Sequence, residues 1–367
     1  MIWTSLRDFA QGFLGRGEAT IAVPSFDGAL KPNQFLESAD LDAEFEAPED
    51  LAGDEETLCL ADACRLVKVE ADGGTTVLRE FESPITALCA LPGGGLALAL
   101  GGREIRVYAD AVAKDPAVTI VDSALRAVNA IAPAGAGALY ATDGSAEHNC
   151  EDWVWDLMGR GRSGRALRID LKSGRVEVLA AGLHYAFGAA AMGERALVSE
   201  SWRHKLLAVA PDGGCETVTA QLPVYPSRLA SAEGGGWWLT AFIARTLLVE
   251  FVLREPAYRK RMMAEIGPEF WIAPRLSSGH SFKEPMQGAH LKTMGVVKPW
   301  APPRSYGLII RLDAAGQPLF SLHSRADGHN HGVVAAREHK GRLYFIAKGP
   351  RRLLSLPLDA IAKEFST

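Results

Sequence analysis

Short apolar segments alternate with turn residues along most of this sequence. Runs such as RLVKV (65–69), EIRVY (104–108) and LLAVA (206–210) are rich in branched side chains, which favours β-strands. Glycine-containing turns such as ADGG (71–74) and PDGG (211–214) separate these runs. Units of three or four such strands return at intervals of roughly 40–50 residues, a spacing typical of the blades of a β-propeller.

We therefore predict an all-β protein, a six-bladed β-propeller over residues 44–358. Residues 1–43 form an N-terminal extension and residues 359–367 a C-terminal tail. The last repeat unit has only three recognisable strands, so the N-terminal extension is expected to supply the fourth. Such a strand would close the ring and remove an exposed sheet edge.

Two insertions interrupt the repeat. The first, residues 145–162, is rich in Trp, His and Asp. The second, residues 254–304 near blade five, is expected to be partly helical because it opens with a basic helical stretch at 257–264. Long insertions on a rigid scaffold commonly form lids or binding loops. Packing against the propeller is the alternative for both.

Charge and apolar patterning exclude several classes of partner. The chain has 39 basic and 44 acidic side chains, a net charge of −5, so no general attraction to nucleic acid is expected. No apolar run is long enough for a transmembrane segment, and Arg7 and Asp8 argue against a signal peptide. Apolar residues near the N-terminus instead recur at helical spacing and predict a short helix. They are Trp3, Leu6, Phe9 and Phe13.

The cysteines point to a reducing compartment. The chain has five cysteines, an odd number, with neither a CxxC pair nor a zinc-ligand spacing. We expect reduced thiols and a cytoplasmic location. Cys150 is expected to be structural, because no neighbouring base is evident that would make it a nucleophile.

Several stretches resemble one family of proteins. GRALRIDLKSGRVEVLAAGLHYAFGAAA (164–190) and LPVYPSRLASAEGGGWWLTAF (222–242) are similar to strictosidine synthase-like proteins. SLHSRADGHNHGVVAAREHKGRLYFIAKGPRRLLSLPL (321–358) is similar to the adipocyte plasma membrane-associated protein family, and EAPEDLAG (46–53) resembles its first-blade motif. The resemblance implies a six-bladed propeller of the gluconolactonase–regucalcin superfamily.

The superfamily implies an axial calcium ion held by carboxylate and amide oxygens. Glu46 matches the first-blade acid, with Glu49 close behind, and Asn129 matches the third-blade polar residue. Phe187 stands where an asparagine ligand is expected, and Ser227 stands where an aspartate is expected. Phenylalanine cannot bind calcium and a serine hydroxyl carries no charge, so calcium is disfavoured and no cofactor is predicted.

The catalytic glutamate of strictosidine synthases is also absent, because the resemblance places Val334 at its position. His329 and His331 are the nearest candidate proton carriers. In an extended segment, residues two apart share a face, so both imidazoles could reach an axial pocket. The alternatives are a histidine-bound transition metal, or a loop whose histidines are solvated or bonded to the backbone.

Other candidate site residues flank the predicted inner strands. Glu49 or Glu46 could act as the base, or could help to close the first blade. Arg228 could bind a carboxylate or stabilise an oxyanion, or form a structural ion pair. Asn129 could donate to a carbonyl or belong to a turn, and Phe187 could form an apolar wall. The remaining substrate-binding candidates are His184, Tyr185, Tyr225, Ser227, His148 and Trp153.

These residues favour a small-molecule enzyme with an axial pocket, and ester or lactone hydrolysis is the leading reaction. Hydrolysis needs an activated water and a polarised carbonyl. A histidine or a glutamate could activate the water, and Arg228 and Asn129 could polarise the carbonyl. A metal-free acid/base lyase, isomerase or condensing enzyme is one alternative. A non-catalytic ligand-binding propeller is another.

Overall fold

We describe a computed structural model of the chain. It describes residues 23–277 and 305–365, apart from residues 55, 71, 72 and 136, and the backbone of two short strands between these ranges. The predicted helix at the N-terminus lies outside the described residues. So do most of the second insertion and its histidines, His280 and His290.

Six four-stranded antiparallel sheets follow one another along the chain. This confirms the predicted six-bladed β-propeller. We call the first strand of each sheet its inner strand, because these six strands contact one another in a closed ring. Each blade is a meander of neighbouring strands, so a local sequence with good turns specifies most of its pairing.

The strands of blades one to three follow the chain without interruption, except for one helical segment in blade three. Their bounds are β2 Pro48–Gly53, β3 Leu58–Asp62, β4 Arg65–Val69, β5 Thr75–Glu80, β6 Ile85–Ala90, β7 Leu96–Leu100, β8 Glu104–Tyr108, β9 Val118–Val121, β10 Val128–Pro133, β11 Ala138–Asp143, β12 Gly164–Asp170 and β13 Val176–Leu183.

Blades four to six have the same order, but a long insertion divides blade five and an N-terminal strand completes blade six. Their bounds are β14 Ala186–Met192, β15 Arg195–Glu200, β16 Lys205–Val209, β17 Cys215–Thr219, β18 Val224–Ser231, β19 Trp237–Ala244, β22 Gly307–Leu312, β23 Pro318–Ser324, β24 Val333–His339, β25 Arg342–Ala347, β26 Arg352–Pro357 and β1 Asp40–Glu44.

The outermost strand of blade six comes from the N-terminal part of the chain. Strand β1 pairs antiparallel with β26, with Asp40 opposite Ser355 and Glu44 opposite Arg352. The described residues before β1 form two short 3₁₀ helices, Gly28–Leu30 and Phe35–Ser38, which pack on β23 of blade five. One N-terminal segment therefore links the last two blades.

Apolar side chains fill the spaces between neighbouring blades. One buried cluster joins blades one and two, and further clusters join each following pair up to blades five and six. Leu60, Leu98, Leu139, Leu197 and Leu239, on the second strands, are fully buried. Both faces of each sheet thus contribute to the core, which explains the nearly continuous apolar runs in the sequence.

The insertions and the C-terminal tail supply the helices. Helix α1 (Trp153–Gly159) belongs to the first insertion. Between β19 and β22 lie α2 (Leu247–Arg254), α3 (Pro256–Glu265), the 3₁₀ helix Pro268–Phe270, and the strand pair β20 (Lys292–Thr293) and β21 (Val296–Val297). Helix α4 (Leu358–Phe365) follows the last blade. Within the described part of the chain, no helix combines the length and apolar character needed to cross a bilayer.

Candidate axial site

Each inner strand contains one extra residue at the same level of the ring. In blade one, Pro48 pairs with Asp62 and Asp50 with Ala61, so Glu49 is the bulged residue. The same irregularity recurs in the other five inner strands. A bulge re-aims backbone groups that a regular ladder would pair. It therefore frees carbonyl groups beside the propeller axis.

The guanidinium of Arg228 lies among these carbonyl groups. Its Nε donates to the carbonyl of Asn129 at 2.9 Å, and its Nη2 donates to that of Thr86 at 2.8 Å. Its Nη1 donates to the carbonyls of Glu49 at 2.8 Å and Val334 at 3.4 Å. Residues of blades one, two, three and six thus bind a side chain from blade five. The ring of Phe187 in blade four lies 5.2 Å from its Cζ.

Two carboxylates and one ammonium group complete the charges of this axial site. Glu49 Oε1 lies 3.0 Å from Arg228 Nη2, and its Oε2 accepts a hydrogen bond from Lys348 Nζ. Asp50 Oδ2 lies 3.2 Å from Arg228 Nε and also accepts from the Leu88 amide at 2.8 Å. Two cations therefore face two acids, which offsets part of the desolvation cost of burying them.

Burial and charge act differently on the two acids. Burial favours the neutral form of Glu49, but Lys348 and Arg228 outweigh it and lower the pKa of this carboxyl. Burial raises the pKa of Asp50 to about 6, and Arg228 offsets only part of that rise. Glu49 is therefore ionised at neutral pH. Asp50 changes its protonation state about one pH unit below neutrality.

An axial calcium ion does not fit these residues. The Arg228 guanidinium already takes the Glu49 carboxylate and the axial carbonyl oxygens that would face a cation. Phe187 contributes an aromatic ring, and the Ser227 hydroxyl is bonded to Thr240 Oγ1 at 2.8 Å instead of facing the axis as a ligand. Among the described residues, no group of three His, Cys, Asp or Glu side chains is placed to hold a metal ion.

Aromatic side chains pack beside the axial site. Tyr185 stacks on Trp202 with ring centres 4.5 Å apart, and the Phe187 and Phe242 rings are 5.8 Å apart. Trp153, from helix α1, meets Phe242 edge-on at 5.4 Å. Tyr185 is buried with a φ of +61°, a strained conformation for an aromatic residue. An apolar layer thus lies directly beside the axial charges, with Phe187 in contact with both.

Several predicted site residues do meet around the axis. Glu49, Asn129, Phe187 and Arg228 come from four different blades and lie within one network. The side chain of Asn129 donates to the Ala186 carbonyl at 3.0 Å, so it links blades three and four. Tyr185, Tyr225 and Trp153 belong to the neighbouring aromatic layer.

Other predicted residues lie apart from that network. Glu46 is exposed and pairs with Arg65 at 3.3 Å. His329 is exposed, whereas His331 is buried with Nδ1 2.6 Å from Ser305 Oγ and Nε2 2.8 Å from the Arg325 carbonyl. The two imidazoles therefore do not share a face, because residues 329–331 form a turn against the N-terminal segment and not a strand.

Two further residues discussed above, His148 and Cys150, lie in the first insertion. The amide of His148 donates to Ser145 Oγ at 3.1 Å, so the backbone there belongs to a tight loop. Burial raises the pKa of the Cys150 thiol to about 12, so this cysteine is protonated at neutral pH. Its thiol faces the Val128 carbonyl at 3.6 Å.

Sequence reasoning missed Asp50 and Lys348. Asp50 directly follows Glu49 in the first-blade motif. These two adjacent acids were the sequence feature that could have indicated Asp50 as a site residue. Lys348 directly follows the second strand of blade six, a position that becomes axial only when the ring closes. Asp50 and Arg228 also line a cavity of about 200 Å³ at one end of the channel, together with Cys89 and Arg337.

A second cavity lies beside blade four. It has a volume of about 200 Å³ and lies between the turn after β15 and helices α1 and α2. His184 was predicted to bind substrate at the axis, but it lines this cavity. Its other lining residues include Trp202, His204 and Arg245.

Comparison with known proteins connects this chain to two curated relatives. It is 26% identical over 221 residues to adipocyte plasma membrane-associated protein of Salmo salar, covering 56% of this chain and 45% of that protein. It is 27% identical over 126 residues to strictosidine synthase-like 10 of Arabidopsis thaliana, covering 33% and 34%. The chain thus spans less than half the length of each. No protein-family profile matches it.

Solved structures share the architecture. The gluconolactonase XC5397 of Xanthomonas campestris superposes with a TM-score of 0.54 at 15% identity, over 86% of this chain and 87% of that one. Identity this low supports the fold alone. The chain is a six-bladed β-propeller, similar in sequence to adipocyte plasma membrane-associated protein and strictosidine synthase-like proteins and in fold to gluconolactonase.

Proposed function

We propose that this propeller is a small-molecule enzyme that hydrolyses an ester or a lactone without an axial metal ion. The similarity to a gluconolactonase makes a sugar lactone the first substrate class to test. The strictosidine synthase-like relative supports small-molecule chemistry more broadly.

The observation that carries the proposal is the Glu49–Lys348 pair. The two side chains are 17% and 28% exposed, so they are the solvent-accessible part of the axial network. A lysine ammonium can donate to a substrate carbonyl and stabilise the oxyanion that forms on it. An ionised carboxylate can orient the attacking water and accept its proton. We assign these two roles to Lys348 and Glu49.

The same geometry makes Arg228 a positioning residue in this proposal. All of its N–H directions meet protein oxygens, so it holds the Glu49 carboxylate and does not bind substrate directly. His331 could transfer protons only after leaving Ser305 and the Arg325 carbonyl. We therefore do not assign it the catalytic proton.

A non-catalytic binding propeller is the second candidate function. It is favoured by the complete pairing of Arg228 and by the apolar packing of Tyr185, Phe187 and Phe242 beside it. Such packing stabilises the scaffold but leaves few groups free for chemistry.

A substrate panel in EGTA separates these functions. Sugar lactones and aryl esters are offered to the protein, and Lys348→Met and Glu49→Gln are compared with Glu46→Gln. Glu46 is the matched control, because it is an exposed glutamate outside the axial network. We expect turnover in EGTA that falls about 100-fold in Lys348→Met and is unchanged in Glu46→Gln.

Loss of turnover in EGTA, with specific recovery in calcium, would contradict the metal-free reaction. Equal rates for parent and Lys348→Met would exclude the assigned site. Saturable binding of a panel compound without turnover would favour the binding propeller.

We also propose a cytoplasmic location. All five cysteines are free in the structure, which suits a reducing compartment. Cell fractionation checks this, with the protein detected in each fraction without prior reduction of its thiols. Accumulation in the membrane fraction would contradict it. So would an oxidised or disulfide-bonded Cys215, because this exposed thiol should stay reduced in the cytoplasm.

A further inference from the structure

Nine of the fourteen residues that line the cavity beside blade four have polar or charged side chains. Its volume of about 200 Å³ is enough for several water molecules or for a small ligand. Trp202, Leu157 and Leu253 form its apolar wall. We call it the basic cavity, because five of its fourteen lining residues carry a permanent positive charge. They are Arg160, Arg203, Lys205, Arg245 and Arg254.

One acid faces these five cations within the basic cavity. Glu250 Oε1 accepts from Arg245 Nε at 2.9 Å and lies 3.4 Å from His204 Nε2. Burial favours protonation of Glu250, but His204 and Arg245 lower the pKa of its carboxyl to about 2. This acid is therefore ionised and committed to its neighbours. Glu200, which lies outside the lining, offsets a further charge, because its Oε2 is 3.1 Å from Lys205 Nζ. The lining residues still carry more positive than negative charge, in a chain whose net charge is −5.

The cations are close enough to repel one another. Burial lowers the pKa of Arg254, the negative charge of Glu250 offsets part of this, and the positive charges of Arg160 and Arg245 lower it again. Burial and Arg160 act in the same way on Arg259, which lies on the next helix. An anion placed among these groups would relieve that repulsion.

The fold holds the basic cavity in a defined shape. Arg245 donates to the Leu222 carbonyl at 3.3 Å as well as to Glu250, and the adjacent Thr246 caps helix α2. Trp202 is fixed from the other side, because its Nε1 donates to Asp156 Oδ1 at 2.7 Å. Rigid cationic and aromatic walls are the features expected of a preformed site for a small anion.

We propose that the basic cavity binds a small organic oxyanion, with its carboxylate or phosphate group among the arginines and its apolar body against Trp202. Arginine suits both groups, because its planar fork can donate two parallel hydrogen bonds to either. The proposal does not depend on the hydrolase function, because binding at this site requires no turnover.

Calorimetry with two probes tests the proposal. Inorganic phosphate and benzoate are titrated separately at constant ionic strength, with sodium chloride as the comparison. We expect saturable binding of at least one probe. Arg160→Gln is expected to weaken it about tenfold, since one charge-assisted hydrogen bond is lost. Arg254→Gln should have a similar effect.

Arg261→Gln is the matched control, because Arg261 is an exposed arginine on helix α3 outside the cavity. It should bind the probes as the parent does. Arg160 is itself exposed, so its replacement is expected to leave the fold intact, and a melting curve checks this.

The result identifies the ligand class. Binding of phosphate alone supports a phosphorylated ligand, binding of benzoate alone supports a carboxylate, and binding of both supports either group. Binding of neither probe would overturn the proposal. So would equal weakening by Arg160→Gln and Arg261→Gln, because it would show that the anions respond only to overall charge.

Discussion

Arg228 shows how one side chain can satisfy a ring of backbone groups. Four carbonyl oxygens and two carboxylates surround its guanidinium within 3.4 Å. Carbonyl dipoles that converge on one point repel each other unless a cation lies among them. A guanidinium supplies that charge together with five N–H donors in a plane. Arg228 thus connects the inner strands of blades one, two, three, five and six through hydrogen bonds at the propeller axis.

Replacing Arg228 with methionine should strongly destabilise the protein. The change keeps side-chain bulk but leaves Glu49, Asp50 and the axial carbonyls without their cation. We expect the free energy of unfolding in urea to fall by about 3–5 kcal/mol. Arg228→Lys should lose less, because it keeps the charge but has fewer donors.

Arg261→Met provides the control for this series, since that arginine is exposed. An unchanged unfolding curve for Arg228→Met would contradict the structural role of the axial guanidinium.

At the scale of the element, three blades repeat one ion pair. An acid ends the second strand and lies opposite a basic residue that begins the third. The pairs are Asp62 with Arg65, Asp143 with Arg165, and Glu200 with Lys205.

Each acid of this repeat also accepts a backbone amide just before its inner strand. The donors are Ala47, Ala127 and His184, each at 2.7 Å. One side chain thus fixes the start of the inner strand relative to the second and third strands. The amide donors at the inner strands are 15 or 16 positions away along the chain, so this arrangement is set by the meander of each blade.

Asp143→Asn should cost more stability than Asp62→Asn. Both changes remove the charge and keep an acceptor oxygen. The Asp143 side chain is fully buried and Arg165 is 18% exposed, so the loss leaves a largely buried cation unpaired. Arg65 is 36% exposed and can turn to water. We expect losses of about 3 and about 1 kcal/mol, measured by urea unfolding.

The two aspartates serve as controls for each other. Equal losses would show that solvent exposure of the basic partner does not decide the strength of this repeated pair.

At the scale of the whole molecule, the N-terminal segment closes the ring. Asn33 donates to the Ser321 carbonyl at 2.8 Å and accepts from the His323 amide at 2.9 Å. Glu37 accepts from Ser324 Oγ at 2.6 Å and from the Asn330 amide at 2.9 Å. Strand β1 then pairs with blade six. The segment therefore fastens blade five to blade six and covers an open edge.

Removing residues 1–44 should destabilise the entire propeller. The deletion exposes the edge of β26 and breaks the hydrogen bonds of Asn33 and Glu37. We expect a fall in Tm of about 10 °C or more, and increased aggregation. Scanning calorimetry and light scattering measure both effects.

A deletion of residues 1–22 is the matched comparison, because it keeps the segment and β1. It should retain most of the stability of the full chain. Similar melting curves for the two deletions would argue against closure by the N-terminal strand.

The sequence by itself determined the architecture. Turn residues and branched apolar runs specify each meander locally, so the repeat could be read without knowing how the blades meet. It also indicated that Phe187 and Ser227 disfavour an axial calcium ion, since side-chain chemistry decides which groups can be ligands.

Only the tertiary structure decided the axial chemistry. Arg228 meets Glu49 across 179 positions of chain, and Lys348 joins them from the last blade. No local pattern marks such partners, because closure of the ring creates the contact. The turn at residues 329–331 separates His329 from His331, whose predicted shared face required an extended strand there. Local periodicity therefore fixes the blades, while long-range packing decides which polar groups are paired and which are left for function.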